Sequence, residues 1–128
     1  MSYTIKNLAD VTDMAPQFGF GEIQESRFPA RDLNAERTGF ALMRIKPGKR
    51  SVVHRHSEAE EIYVILSGSG RVKLDDDVVE VKERDAIRVA PQVARGWEAG
   101  PNGLEYLAFG QRHEGDGEFL DIEEFWGS

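Results

Sequence analysis

Two histidines and a glutamate stand close together in the stretch Gly48 to Gly70, which reads GKRSVVHRHSEAEEIYVILSGSG. His54 and His56 are two residues apart, so on a β-strand their side chains project from the same face. The run EIYVIL that begins at Glu61 is rich in β-branched and aromatic residues, which is typical of a second strand, and the Ser-Gly pair after it is expected to end that strand. If the two strands pair antiparallel, Glu61 comes to lie near both imidazoles.

Two imidazoles and one carboxylate make a ligand set that suits a divalent first-row metal such as Mn, Fe, Ni or Zn. Such a site leaves coordination positions open for water, substrate or oxygen. The chain has no cysteine, so any metal must be held by nitrogen and oxygen ligands. The sequence therefore predicts a metal site made by His54, His56 and Glu61.

The anchor residues Gly48, His54-x-His56, Glu61 and Gly68 match the first motif of the cupin superfamily at every position, and on these residues the chain resembles a small cupin. The resemblance implies an all-β fold, an antiparallel jelly-roll β-barrel with a metal or ligand pocket inside it. In similar cupins an N-terminal strand commonly crosses to a partner subunit, so the resemblance also implies a homodimer.

A chain of 128 residues fits a single domain. Strand signals follow one another closely from Gly39 onward, as in a β-sandwich or barrel. We expect an N-terminal strand and loop arm over 1–38, the barrel over 39–110 and a C-terminal extension over 111–128. The apolar residues of that extension are expected to form a short helix or strand packed on the barrel.

Several local features give finer expectations. A weak alternation over 3–8 could be an edge strand, and 27–33 looks extended, with Pro29 confining it to an edge or a bulge. Gly100-Pro-Asn-Gly103 is a strong turn signal between the strands expected at 93–98 and 104–109.

The second cupin motif differs from the family pattern. Arg84 and Gln92 stand where the family has glycines, and Arg95 falls on the position of the third histidine ligand. Arginine has no lone pair for a metal, so Arg95 is not a ligand. Its parity with Val93 and Trp97 places its side chain inside the barrel.

Two interpretations of Arg95 remain open. In the first, the metal is bound and Arg95 clamps a carboxylate or phosphate of the substrate, with Tyr63 and Trp97 lining the pocket. In the second, Arg95 pairs with Glu61 and the pocket is metal-free, because a buried guanidinium needs an anionic partner.

The resulting hypotheses belong to different classes. A metal-bound protein acts on or binds a small anionic or hydroxylated molecule, and an enzyme of this type would be a metal-dependent isomerase, lyase or dioxygenase, since cupins include all three. The rival is a non-catalytic binding or sensing barrel without metal. The remaining histidine, His113, is expected in an exposed loop, where it could also fold back as a replacement ligand.

Charge and hydropathy exclude other partners. The net charge of −7 disfavours a grip on nucleic-acid phosphates or anionic lipid, since both need clustered Lys and Arg. The first residues lack the basic and apolar regions of a secretory signal, and no apolar run approaches the ~18 residues of a membrane span. We therefore expect a cytoplasmic protein.

Overall fold

The structure is a computed structural model that describes residues 2–111 and 115–127. These ranges contain eight strands and two short helical segments, joined by turns and loops. The strands are β1 (Gln24–Arg27), β2 (Thr38–Ile45), β3 (Val53–His56), β4 (Glu61–Leu74), β5 (Asp77–Lys82), β6 (Ala86–Val89), β7 (Arg95–Gln111) and β8 (Gly117–Leu120). The helices are a 3₁₀ turn, Leu8–Asp10, and α1, Ile122–Trp126.

All strand pairs are antiparallel and form one curled sheet with two walls. The first wall has the order β6, β4, β7, β2, β1. The second wall has the order β5, β4, β7, β3, β8, because β4 and β7 are long enough to run through both walls. The architecture is the antiparallel jelly-roll barrel that the resemblance implies.

Both long strands bend where the sequence predicted that strands end. β4 continues past Gly68, with register shifts between Ile65 and Ser67 and between Gly68 and Gly70. Gly68 has φ +78°, and a Cβ added there would collide with the carbonyl oxygen of Gly103. The turn expected over 100–103 is likewise wrong, because β7 passes through these residues as one strand. Glycine marks β-bulges as well as turns, and here it permits close strand contact.

The core lies between the two walls and follows the alternation of the strands. Tyr63, Trp97 and Tyr106 pack together at its centre, with ring centroids 4.5 to 5.6 Å apart, and of these pairs Trp97 and Tyr106 are stacked. The aliphatic side chains around them alternate inward along their strands, as predicted for Val72. These residues are Ile45, Ile65, Val72, Val81, Val89 and Leu104.

The N-terminal arm differs from the expectations. No strand occurs among the described residues before Gln24, so the weak edge strand over 3–8 is wrong. The extended segment expected over 27–33 is also wrong, since β1 ends at Arg27 and turns follow. β1 pairs with β2 of the same chain. Proline fixes its own φ and removes a donor, which explains why pairing stops before Pro29.

The C-terminal extension, for which a short helix or strand was expected, forms one of each, β8 and α1. The helix begins after Asp121, whose side chain accepts a hydrogen bond from the Glu124 N–H, and it ends at Gly127 with φ +77°. Trp126 packs beneath Arg50 and Arg71 on the outer side of the second wall, with guanidinium carbons 4.5 and 5.4 Å from the ring centroid. None of the helices in the described part of the chain is long and apolar enough to cross a membrane.

Candidate metal centre

His54 and His56 reach the barrel interior from β3, in the second wall. β3 lies between β7 and β8, and His54 stands opposite Arg95 on one side and Phe119 on the other. The two imidazole rings have centroids 5.0 Å apart and are almost perpendicular. This confirms that the His-x-His pair projects from one face of a strand.

Glu61 approaches the histidines from the first wall, where it stands between Val89 of β6 and Gly110 of β7. The expected pairing of β3 with β4 is therefore wrong, because β3 is paired with β7 and β8 instead. The bend at 57–60 carries the chain from one wall to the other, so that the carboxylate meets the imidazoles across the barrel interior.

The three side chains converge on one point. His54 Nε2 lies 3.4 Å and His56 Nε2 lies 3.0 Å from Glu61 Oε1. The potential ligand atoms of the three residues lie within 4.8 Å of one another. Two imidazole nitrogens and a carboxylate at this spacing fit a divalent first-row metal.

The ionisation of these groups suits the same chemistry. Burial lowers the pKa of His54, outweighing the hydrogen bond with Glu61 that would raise it, so the neutral imidazole is favoured. Burial alone would raise the pKa of the Glu61 carboxyl, but hydrogen bonds from His54, His56 and Tyr63 hold that pKa well below its usual range. A neutral imidazole and an ionised carboxylate are the forms that bind metals.

Arg95 points into the barrel, as its strand parity predicted, and it is fully buried, with 0% of its surface exposed. All five of its N–H groups have acceptors. Nε and Nη2 donate to the carbonyl oxygens of Val93 and Ala90, while Nη1 donates to Glu61 Oε1 over 2.8 Å and to the Tyr63 hydroxyl over 3.3 Å. The guanidinium is therefore fully used by the protein itself.

Tyr63 and Trp97 occupy different layers of the interior. The Tyr63 hydroxyl donates to Glu61 Oε1 over 2.6 Å, and burial raises the pKa of this phenol well above its ordinary value. Tyr63 lines the cavity above the histidines, together with Tyr106, which sequence reasoning missed. Trp97 is not among the lining residues, since it packs behind these two rings.

Asp116 is a second residue that sequence reasoning missed. Its carboxylate accepts hydrogen bonds from the backbone N–H groups of Ser57, Glu58 and Ala59 and from the Ser57 hydroxyl, which together lower the pKa of Asp116. It thereby fixes the bend between the histidines and Glu61. Its Oδ2 lies 3.4 Å from His56 Nδ1, without hydrogen-bond geometry, so it acts there as a nearby negative charge.

The signal for Asp116 was too weak to use, because one acidic residue in a Gly-rich stretch has no predictable direction. His113 lies outside the described residues, and its expected loop position stays a prediction.

A cavity of about 250 Å³ opens above the metal centre. His54, His56 and Glu61 form its polar end, and mostly apolar side chains form its walls. A larger groove of about 630 Å³ shares Phe18, Phe28 and Glu61 with it, but neither histidine lines that groove. The smaller cavity is therefore the one that could hold a molecule against the metal centre.

A family model described as a cupin domain matches residues 41–107, which include both histidines, Glu61 and Arg95. The chain is a cupin. The two non-glycine residues aligned with motif glycines in this cupin keep a left-handed backbone, with φ +73° at Arg84 and +72° at Gln92. This agreement supports the alignment that places Arg95 where the motif has its third histidine.

Known proteins similar to this cupin include an uncharacterized protein of Methanocaldococcus jannaschii, 42% identical over 45 residues. That match spans 35% of this chain and 36% of the relative.

Solved structures of similar fold include the polyketide cyclase RemF from Streptomyces resistomycificus, with a TM-score of 0.75 and 18% identity over 95% of this chain and 88% of that chain. A cupin protein from Bacteroides fragilis has a TM-score of 0.69 and 21% identity over 90% of this chain and 88% of that chain. Oxalate decarboxylase from Bacillus subtilis has a TM-score of 0.71 and 23% identity over 91% of this chain but 33% of that chain. At these identities the likeness shows the fold alone.

Proposed function

We propose that this cupin binds a divalent metal, Mn, Fe, Ni or Zn, through His54 Nε2, His56 Nε2 and the Glu61 carboxylate, and that it binds or acts on a small hydroxylated or anionic molecule there. The observation that carries the proposal is the meeting of these three groups, from opposite walls, at the polar end of a cavity. The lowered pKa of His54 favours its neutral imidazole, and the lowered pKa of Glu61 favours its ionised carboxylate.

The surrounding residues prepare the ligands. Tyr63 and Arg95 both donate to Glu61 Oε1 and so fix the direction of the carboxylate. The contacts of His54, His56, Tyr63 and Arg95 with this carboxylate all fall on Oε1, which among the described residues leaves Oε2 for a metal. A bound metal would supply Lewis-acid chemistry and open coordination positions.

The contacts of Arg95 bear on what the site recognises. An arginine with no spare N–H cannot clamp a carboxylate or phosphate without breaking its present hydrogen bonds. We therefore propose that Arg95 is a fixed positive charge beside Glu61, and that the substrate is held by other groups.

A second candidate is the metal-free binding or sensing barrel. The 2.8 Å contact between Arg95 Nη1 and Glu61 Oε1 favours it, since the carboxylate already has a cationic partner. In this case the same cavity binds a small molecule without metal chemistry.

Metal analysis of the purified protein, after reconstitution with each of the four ions, separates the two candidates. We expect one metal per chain, lost in His54→Ala and His56→Ala and kept in Arg55→Ala. Arg55 is a matched control, because it lies between the histidines but pairs with Glu118 at the surface. A folded protein without metal after reconstitution would remove the first candidate.

Arg95→His is the sharper test. If Arg95 opposes metal binding by its charge, this substitution raises metal affinity by roughly tenfold or more, since ~1.4 kcal/mol corresponds to tenfold. If instead Arg95 anchors the substrate, metal affinity is unchanged and binding of the small molecule weakens.

We also propose that the protein is a homodimer. Phe40, Phe109 and Ile62 stand side by side on the outer face of the first wall, and Phe40 stacks on Phe109. A row of apolar side chains on an outer sheet face is typical of a contact surface. Ile62→Glu should lower the mass measured by light scattering after size exclusion, whereas Val79→Glu, an equally exposed position on β5, should not.

A further inference from the structure

The walls of the cavity above the metal centre are built largely from aromatic rings. They come from separate parts of the chain, namely the arm around β1, the core strands and β8. The aromatic lining residues are Phe18, Phe20, Phe28, Tyr63, Tyr106 and Phe119.

The four phenylalanines all lie outside residues 41–107, the part that matches the cupin domain model. The part of the chain that matches the cupin domain model therefore does not supply them. Phe20 and Phe119, from opposite ends of the sequence, meet with ring centroids 6.4 Å apart and close one side of the cavity.

Several of these rings are exposed to solvent. Phe119 is 71% exposed and Phe18 is 57% exposed, although both line a concave site. Exposed apolar groups gathered around a cavity mark a place where an apolar partner binds, because covering them removes apolar surface from water.

Two polar side chains of the cavity wall, Gln24 and Ser26, are already paired with each other. Gln24 donates from Nε2 to Ser26 Oγ over 2.8 Å, and its Oε1 accepts from the Val52 N–H over 2.9 Å. Arg95 is not part of the lining, and it has no N–H to spare. Apart from the Tyr106 hydroxyl, the polar contacts left to a ligand are concentrated at the candidate metal centre, so the walls offer little to a sugar or a small diacid.

From this distribution we infer that the cavity takes a compact, flat, apolar molecule of one or two rings, with oxygen donors at the end that faces His54, His56 and Glu61. The volume of about 250 Å³ sets the size, since drug-sized ligands occupy roughly 300 to 1,000 Å³. The orientation of the ligand rests on the proposed metal site, whereas its apolar character rests on the walls.

The test compares two probes by isothermal titration calorimetry on protein of measured metal content. 2,3-Dihydroxynaphthalene has two adjacent oxygen donors on a flat bicyclic ring system, and oxalate has a comparable donor pair without rings. We expect the naphthalene probe to bind at least roughly tenfold more tightly than oxalate.

Variants assign the difference to the walls. Phe20→Ser and Phe119→Ser should each weaken binding of the naphthalene probe by roughly tenfold and leave metal content unchanged. Tyr3→Ser is the matched control, because Tyr3 is an exposed aromatic residue outside the cavity lining, and it should change neither quantity. Phe119 is mostly exposed, so its loss does not threaten folding.

The outcomes also distinguish this inference from the proposed function. Two outcomes would overturn the ligand class and leave the metal site standing. In the first, metal-loaded protein binds oxalate as tightly as the naphthalene probe or more tightly. In the second, Phe20→Ser and Phe119→Ser bind the naphthalene probe as tightly as the parent does. A protein without metal that still binds the naphthalene probe in a Phe20- and Phe119-dependent way would overturn the metal site and support the ligand class. Absence of both metal and naphthalene binding would overturn both.

Discussion

Arg95 and Glu61 form an ion pair across the barrel interior, with Nη1 2.8 Å from the Oε1 atom that both histidines also face. In the motif alignment supported by the left-handed backbone of Arg84 and Gln92, this positive charge falls at the position of a histidine ligand. The carboxylate is consequently shared between the fold and any metal. The dependence of folding stability and of metal binding on this carboxylate can be measured.

The first prediction concerns this pair. Arg95→Leu should destabilise the protein by about 3 to 5 kcal/mol, because it leaves a buried carboxylate without its cation. Glu61→Leu should be similarly costly, while the double variant should cost clearly less than the sum of the two. Urea denaturation of the four proteins in metal-free buffer gives the coupling energy, and additive effects would show that the pair is not coupled.

The second prediction concerns the docking of α1. Trp126 is only 9% exposed and packs under two guanidinium groups, so Trp126→Ala should lower the free energy of unfolding by about 3 to 5 kcal/mol. Phe119→Ala, which removes a mostly exposed ring from the neighbouring strand β8, should cost about 0.5 kcal/mol or less. If the loss in Trp126→Ala is as small as that in Phe119→Ala, the packing of α1 does not stabilise the barrel.

The third prediction is a pH dependence. Burial tends to raise the pKa of Glu98, but hydrogen bonds from Arg50 and Arg71 outweigh it and lower that pKa. The ionised carboxylate therefore stabilises the fold fully above the ordinary value of 4.5, and this contribution is lost as the pH falls through the lowered folded-state pKa.

Glu98→Gln should accordingly be less stable than the parent by up to about 1 kcal/mol near neutral pH, since the group is partly exposed. The gap should narrow when chemical denaturation is repeated below about pH 4. Glu83→Gln, at an exposed turn position, is the control. If the stability difference between the parent and Glu98→Gln instead widens as the pH falls, the predicted direction of the pH dependence is wrong.

The fourth prediction uses the left-handed backbone of Arg84. A β-branched residue is strained at φ +73°, so Arg84→Val should be less stable than Arg84→Gly by about 1 to 2 kcal/mol. At Glu80, in the extended strand β5, the order should reverse, because glycine weakens a strand. Thermal unfolding of the four variants checks it, and the same order at both positions would refute the conformational explanation.

The candidate metal ligands could be predicted because they form a local motif. His54, His56 and Glu61 lie within eight residues, and their spacing together with Gly48 and Gly68 carried the resemblance to the family. The inward direction of Arg95 followed from strand alternation in the same way. Asp116 could not be found, since it reaches the bend at 57–60 through contacts about 60 residues distant in sequence.

The errors in the fold have a related cause. Neighbouring strands usually pair, so β3 and β4 were expected to form a hairpin, but long-range pairing places them in different walls. Gly68 and the 100–103 segment give the same local signal whether the chain reverses or bends. Only the partner strand decides between a turn and a bulge, and the local sequence does not reveal that partner.

Because β4 and β7 run through both walls, no hinge separates the side that carries the histidines from the side that carries the glutamate. A molecule entering the cavity cannot spread the two sides without breaking the hydrogen bonds of both long strands. Differences in cavity shape must therefore come from the flanking pieces, residues 12–28 and β8, which do not run through both walls. Substitutions in these flanking pieces can thus change which ligand fits the cavity, while His54, His56 and Glu61 keep their positions.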